Sequence, residues 1–205
     1  MARSKSSNAW LHEHVNDLYV HQAKKEGYRA RAAYKLIEIN EKDRLIVPGT
    51  VLADLGCAPG SWSQVAAQFS GKTGQVFAID ILPMDPIIGV EFIQGDFREQ
   101  GIMQAFVALL AGKKLDLVIS DMAPNISGMR SMDQAKSFHL AELALEFARE
   151  HLKLDGHFLV KVFQGSEFHA YLKAMRLLFQ EVVSRKPMAS RGRSNEVYLL
   201  GRRRR

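Results

Sequence analysis

The stretch Val51-Leu52-Ala53-Asp54-Leu55-Gly56-Cys57-Ala58-Pro59-Gly60-Ser61-Trp62 decides how the chain folds. VLADL (51–55) has the length and apolar content of a short buried strand, and a helical pattern opens near residue 61 after two glycines. A strand that runs through a glycine turn into a helix is the first half of a βαβ unit. Gly56 and Gly60 let the backbone pass close to a ligand, and Pro59 stiffens the turn between them.

Working outward, the same rhythm repeats. Strands are expected at QVFAID (75–80), EFIQ (91–94), LDLVISD (115–121), GHFLVKVF (156–163), EVVSRK (181–186) and EVYLLG (196–201). Helices are expected near 61–69, 99–111, 132–152 and 166–179. In the longest of these, Leu140, Leu143, Ala144, Phe147 and Ala148 recur at three- and four-residue spacing and mark a core-facing stripe. Alternating strands and helices imply an α/β fold, a mainly parallel seven-stranded sheet with helices on both faces. The last two strands are separated by only MASRGRSNE, too short for a helical crossover, so the final strand is expected to run antiparallel. Ahead of the first strand, RARAAYKLIEINEKD (29–43) reads as a helix ending before Pro48-Gly49, which brings Lys35 to the edge of the core. The chain carries no internal repeat and no low-complexity segment beyond Arg202 to Arg205.

At 205 residues and 47% hydrophobic content, the chain supports one sizeable core with short terminal additions. No apolar run approaches the roughly 20 residues of a membrane span, and MARSKSSNAW lacks a signal peptide's apolar stretch, so a soluble, cytoplasmic protein is expected. The single Cys57 excludes an internal disulfide, and His12, His14, His21, His139, His151, His157 and His169 are too scattered to suggest a metal site. The net charge of +6 is unevenly spread. Residues 1–31 carry six Lys/Arg against three Asp/Glu and residues 184–205 eight against one, while 32–183 carry fourteen against eighteen. Basic ends around a mildly acidic body suit a protein that meets a polyanion.

In open α/β sheets ligands bind beyond the carboxyl ends of the strands. Four successive strands place an aspartate there: Asp54, Asp80, Asp96 and Asp121. Any one of them could cap a helix, but four in one crevice is a costly arrangement unless a ligand uses it. Asp80, about twenty residues past the glycine turn, is suited to accept both hydroxyls of an adenosine ribose, and Asp96 to bond an adenine amino group. A dinucleotide would need a G-x-G-x-x-G turn for its pyrophosphate, which Gly56 to Gly60 does not supply. S-adenosylmethionine has no phosphate and carries a sulfonium cation, so the acidic crevice favours it.

The stretches DLGCAPGSWSQ, DILPMDPIIGVEFIQGDF, SDMAPNISG, FLVKVFQG and SRGRSNEVYLLG resemble the FtsJ/RrmJ family of bacterial ribosomal RNA large-subunit methyltransferases, from about Trp10 to Gly201. The resemblance implies a Rossmann-like S-adenosylmethionine methyltransferase fold over 28–201, flanked by a basic extension (1–27) and a basic tail (202–205). It implies methylation of a uridine ribose 2′-hydroxyl in the A-loop of 23S rRNA, within the large subunit. It further implies a catalytic tetrad of Lys35, Asp121, Lys161 and Glu196, cofactor contacts from Gly60, Trp62, Asp80, Asp96 and Asp121, no metal and a monomer. The residues agree in part: Lys161 lies inside the apolar run FLVKVF, where an ammonium is costly to bury unless it is paired or used. Lys161 is therefore the expected group to orient or deprotonate the 2′-oxygen, with Asp121 orienting it. The chain departs from the family at Ser61, where Pro-Gly-Gly-Trp is the common pattern.

The expected RNA surface comprises Lys24, Lys25, Arg29 and Arg31 with Arg185, Lys186, Arg191 and Arg193. Aromatic residues are not interleaved with these cations, which favours backbone contacts over base stacking. Three other readings fit less well: a methyltransferase acting on tRNA or an mRNA cap, a non-catalytic subunit assembly factor, and a nucleotide-linked oxidoreductase.

Overall fold

The computed structural model describes residues 17–124, 128–190 and 194–205, with backbone only at 130 and 131. A seven-stranded sheet forms its centre. In chain order the elements are α1 (Leu18–Glu26), α2 (Ala32–Asp43), β1 (Val51–Leu55), α3 (Ser61–Ser70), β2 (Gln75–Asp80), β3 (Val90–Gln94) and α4 (Gln100–Leu109). There follow β4 (Leu115–Ser120), α5 (Arg130–His151), β5 (Leu152–Phe163), α6 (Phe168–Leu178), β6 (Phe179–Arg185) and β7 (Glu196–Arg204). The strand order is β3-β2-β1-β4-β5-β7-β6. The first five strands are parallel, and β7 lies antiparallel between β5 and β6. Among the described residues no helix is long and apolar enough to cross a membrane.

The period of two along each strand sorts the core into two layers. Ala53, Phe77, Val118, Phe158, Val160 and Leu199 pack on one face against α4, α5 and α6, with Phe106, Phe147 and Tyr171. Leu52, Leu117, Leu159, Tyr198 and Leu200 pack on the other, under Leu36 and Ile39 of α2 and Trp62 and Val65 of α3. By the same alternation Asp54, Asp121, Lys161 and Glu196 belong to the second face, where α2 and α3 lie. Four polar residues are thereby directed to one end of one face.

Several boundaries differ from the sequence reading. The helix α1 was not expected; Asp17 caps its first turn by accepting from the Tyr19 amide, and Gly27 ends it at φ 77. The helix read at 29–43 begins at Ala32, because the Arg29 amide is taken by Gln64 Oε1 at 3.0 Å. β5 starts at Leu152 directly after α5, and its ladder with β4 shifts register between Leu115 and Leu117. β7 continues past Gly201 to Arg204, so Arg202 and Arg204 pair with β6 and belong to the sheet.

Three cations placed on the RNA surface by the sequence reading are held by the fold. Arg29 donates to the carbonyls of Pro59 (2.9 Å), Asp85 (2.8 Å) and Pro86 (3.0 Å), which clips the 81–88 loop to the glycine turn. Arg31 is paired with Asp17 and donates to the Ala189 carbonyl. Arg185 grips both oxygens of Asp43 at 2.7 Å, and Arg202 joins the same carboxylate. Arg191 and Arg193 lie outside the described residues.

The Asp43 side chain is 1% exposed. Burial works to raise its pKa, but the Arg185 and Arg202 guanidiniums outweigh that and hold the carboxyl below its ordinary 3.8. Asp43→Ala would leave two partly buried cations without their anion and should cost about 3 kcal/mol at neutral pH. Since the folded-state pKa is depressed, this stabilisation is present above the ordinary carboxylate value and is lost as pH falls through the folded one. Urea unfolding across pH should show the gap between wild type and variant narrowing in acid; a gap that does not change with pH contradicts the assignment.

Candidate active site

The site lies at the carboxyl ends of β1, β2, β3 and β4, where the parallel strands open. β1 leads into the turn through Gly56 (φ 79) and Gly60 (φ 103), left-handed conformations that favour glycine. A side chain on Gly56 would come within 2.3 Å of Met122 Cγ, just past the end of β4. At Gly60 the space is closed by Arg29, Met84 and Ile87, which belong to the clipped 81–88 loop and its arginine.

The four aspartates do stand together at this edge, each in a different setting. Asp54 is fully buried; one carboxylate oxygen accepts from Ser63 Oγ at 2.6 Å, and Oδ1 has no hydrogen-bond partner among the described residues. Burial pushes its carboxyl up to about 7, with the charges of Asp121 and Asp80 adding to the effect and the Ser63 hydroxyl opposing it. Asp80 accepts from the Ala58 amide at 2.7 Å and the Leu82 amide at 2.8 Å, so it shapes the glycine turn as well as ending β2. Asp96 is held by the Arg98 guanidinium, with Nε at 2.9 Å and Nη2 at 2.5 Å, and this contact lowers its pKa.

The expected tetrad residues assemble as two neighbouring ion pairs. Lys161 Nζ donates to the Asp121 carbonyl at 2.7 Å and stands 3.1 Å from Asp121 Oδ1. Lys35, reaching in from α2, donates to Glu196 Oε1 at 2.6 Å. Burial works to raise the pKa of Asp121, but the Lys161 and Lys35 ammoniums and the Tyr198 hydroxyl more than offset it, and the carboxyl is held below the ordinary range. Lys161 is 8% exposed, a buried ammonium held by Asp121.

Trp62 occupies a different place from an open cofactor contact. It is 2% exposed, donates its indole N–H to the Ala32 carbonyl at 2.8 Å, and packs on the Tyr198 ring with centroids 5.5 Å apart. Its visible work is to tie α2, which carries Lys35, to the strand that carries Glu196. Ser61, the departure from the family pattern, is itself buried at the start of α3.

Sequence reasoning missed Tyr198 and Ser63. Tyr198 donates its hydroxyl to Asp121 Oδ1 at 2.9 Å, and Lys35 Nζ stands 5.6 Å from its ring centroid. The signal was available: Tyr198 is two residues from Glu196 on one strand, hence on the same face. Ser63 falls one helical turn into α3 and could be found only by knowing that Asp54 points beneath it.

These residues fit S-adenosylmethionine. Several carboxylates, one with a buried oxygen that has no donor among the described residues, suit a ligand with a sulfonium and an ammonium. Among the described residues no group of three or more His, Cys, Asp or Glu is placed to hold a metal ion. A cleft at the amino ends of β1, β4 and β5, lined by residues including Arg44, Thr50, Asp116, Lys153 and His157, contains none of the expected site residues.

Comparison with known proteins agrees with this geometry. A family model described as FtsJ-like methyltransferase matches residues 28–204. The chain is 73% identical over 205 residues to the ribosomal RNA large subunit methyltransferase E of Chromobacterium violaceum, covering 100% of both proteins. It is 67% identical over 203 residues to the protein of that name from Neisseria meningitidis serogroup C, covering 99% of this chain and 98% of that one. Among solved structures, a ribosomal RNA methyltransferase from Plasmodium falciparum superposes with a TM-score of 0.78 at 30% identity, over 86% of this chain and 98% of that one.

Proposed function

Because the chain belongs to the FtsJ-like methyltransferase family, we propose that it methylates the ribose 2′-hydroxyl of an A-loop uridine in 23S rRNA, within the large ribosomal subunit. The observation that carries this reading is the pair of ammoniums, Lys161 and Lys35, held by Asp121 and Glu196 beside the acidic crevice. The relatives' name, ribosomal RNA large subunit methyltransferase, supports the substrate class. The reading carries with it a monomer acting in the cytoplasm, with a methyltransferase domain that runs past residue 201 to the end of β7.

S-adenosylmethionine would be held by Gly60, Asp80, Asp96 and Asp121, and when bound it supplies an electrophilic methyl on a cationic sulfur that departs as a neutral thioether. Trp62 contributes to that site through the packing of α3. With the cofactor bound, this chain's part would be to hold the 2′-oxygen in line with the methyl while the hydroxyl proton passes to solvent water. A lysine ammonium has three donors. Asp121 takes two from Lys161, and the third is left to hold the 2′-oxygen and to stabilise the charge that builds on it as the proton departs. Holding the oxygen in line can be worth roughly 7 to 11 kcal/mol in favourable cases, more than proton removal, which typically gives about 10²- to 10⁴-fold. Asp121 keeps Lys161 aimed, and the Lys35–Glu196 pair fixes the neighbouring wall.

The substrate is tested by offering labelled S-adenosylmethionine with unmethylated large subunits or with tRNA. Label should enter the subunits and not tRNA; the reverse would move the substrate, and no transfer to any RNA would overturn the reading. The cofactor assignment is tested separately. Asp80→Ala removes an anion and two amide contacts at the turn, and should raise the Kd for S-adenosylmethionine about 10- to 100-fold in equilibrium dialysis. An unchanged Kd would remove Asp80 from the cofactor site.

A further inference from the structure

Tyr198 contacts two tetrad members, Asp121 and Lys35, and pairs across the sheet with a third, Lys161. It is fully buried in the middle of β7. Across the β5–β7 ladder its backbone partner is Lys161. Its hydroxyl donates at 2.9 Å to Asp121 Oδ1, the same oxygen that stands 3.1 Å from Lys161 Nζ. Its ring lies 5.6 Å from Lys35 Nζ, within cation–π range, and rests on Trp62, which in turn bonds the α2 backbone. Glu196 is two residues away on the same strand face.

A phenylalanine would fill the same volume and offer Lys35 the same ring, so the hydroxyl serves something other than packing. A buried hydroxyl with one acceptor fixes that acceptor's rotamer. A carboxylate free to turn about its terminal bond would exchange its two oxygens in front of Lys161, whereas one anchored by the phenol presents Oδ1 in a single place.

We infer that Tyr198 is the positioning residue of the tetrad: its hydroxyl locks Asp121 so that Oδ1 aims Lys161 at the 2′-oxygen, and its ring seats Lys35. This rests on the methyl-transfer reading above, since aiming Lys161 matters only if a nucleophilic oxygen is placed before it. Tyr198 touches no reacting atom. Its effect should therefore appear in the rate of transfer and not in the binding of either substrate.

The test compares wild type, Tyr198→Phe and Tyr198→Leu in labelled methyl transfer to unmethylated large subunits, with thermal melting and S-adenosylmethionine affinity measured in parallel. Tyr198→Phe should lower kcat about 10-fold or more, with the subunit KM and the cofactor Kd within about twofold, because a hydrogen bond to a charged group is lost. Tyr198→Leu, which also removes the seat of Lys35, should fall further. In an Asp121→Asn background Tyr198→Phe should produce little additional loss, since the hydroxyl acts through that carboxylate. A Tyr198→Phe protein with unchanged kcat overturns the inference, whether or not it melts lower. So does one whose loss adds fully to that of Asp121→Asn, which would mark a general structural defect. Absence of transfer by the wild type would instead overturn the functional reading itself.

Discussion

Lys161→Met is expected to slow methyl transfer in single turnovers by about 10²- to 10⁴-fold while leaving the protein folded and able to bind S-adenosylmethionine. Methionine keeps the length and apolar character of the lysine stem, which shares the α2 and α3 face of the sheet with Leu159, Tyr198 and Leu200. What is removed is the ammonium, with its contacts to Asp121 and the donor left for the 2′-oxygen. Asp121 retains the Tyr198 hydroxyl at 2.9 Å and the field of Lys35, so it is not left as an isolated buried anion. Stability should fall as well, because Asp121 loses the cation that does most to hold its charge, with the Tyr198 hydroxyl and Lys35 retaining part of that support. Rapid-quench transfer on pre-bound large subunits, with cofactor affinity as control, measures this; a rate within tenfold of wild type would remove Lys161 from the reaction.

Asp121→Asn should be damaging in two ways at once. The amide has nearly the shape of the carboxylate but no charge, so Lys161, at 7% side-chain exposure, loses its counter-ion. Breaking a buried pair in this way costs about 3–5 kcal/mol of stability. Methyl transfer should fall about 10²- to 10³-fold, since Lys161 is no longer aimed, and cofactor affinity should weaken because Asp121 belongs to both sets. The pH dependence gives a second check. The folded-state pKa of Asp121 is lowered, so its stabilisation is present above the ordinary carboxylate range and is lost as pH falls through the folded value. The stability gap between wild type and Asp121→Asn should accordingly be widest near neutrality and shrink in acid. Full rate and full stability in this variant would contradict the geometry around Lys161.

The parts of the fold that were legible are those where local pattern and tertiary burial agree. β1 and β2 begin and end where VLADL and QVFAID do, because both are apolar on both faces and bounded by turn residues. The antiparallel last strand followed from the short connection before it. The helix α1 was not legible, since only Val20 and Ala23 of its nine residues are buried and its contacts are to Tyr34 and Ala189 far along the chain. The arginines at 202 and 204 read as a solvated tail because nothing local shows that Asp43 and the Leu152 carbonyl await them. Charge counting likewise gave no sign that Arg29, Arg31 and Arg185 bond backbone carbonyls and carboxylates within the fold. A cation's partner at a distance of a hundred residues leaves no trace in composition.

The candidate site divides along the same line. Each aspartate could be placed by its strand end, and Lys161 by its apolar neighbours, from sequence alone. The pairing of Lys35 with Glu196, 161 residues apart, entered only through family resemblance, and the structure brings them to 2.6 Å. The resemblance implied that Trp62 contacts the cofactor, whereas in the structure it is 2% exposed and bonded to the Ala32 carbonyl. Tyr198 escaped notice because a tyrosine in EVYLL is an ordinary strand residue until the partner of its hydroxyl is known.

The most direct test of the account is the position of the methyl group within the nucleotide. Large subunits labelled by this protein should be stripped to RNA and hydrolysed in alkali, which cleaves each phosphodiester by attack of the neighbouring 2′-oxygen. A 2′-O-methyl group blocks that attack, so the account predicts label in an alkali-resistant dinucleotide whose first residue is uridine, and none when Lys161→Met replaces the wild type. Label released in a mononucleotide would place the methyl on a base, and the assignment of Lys161 to a ribose oxygen would be wrong.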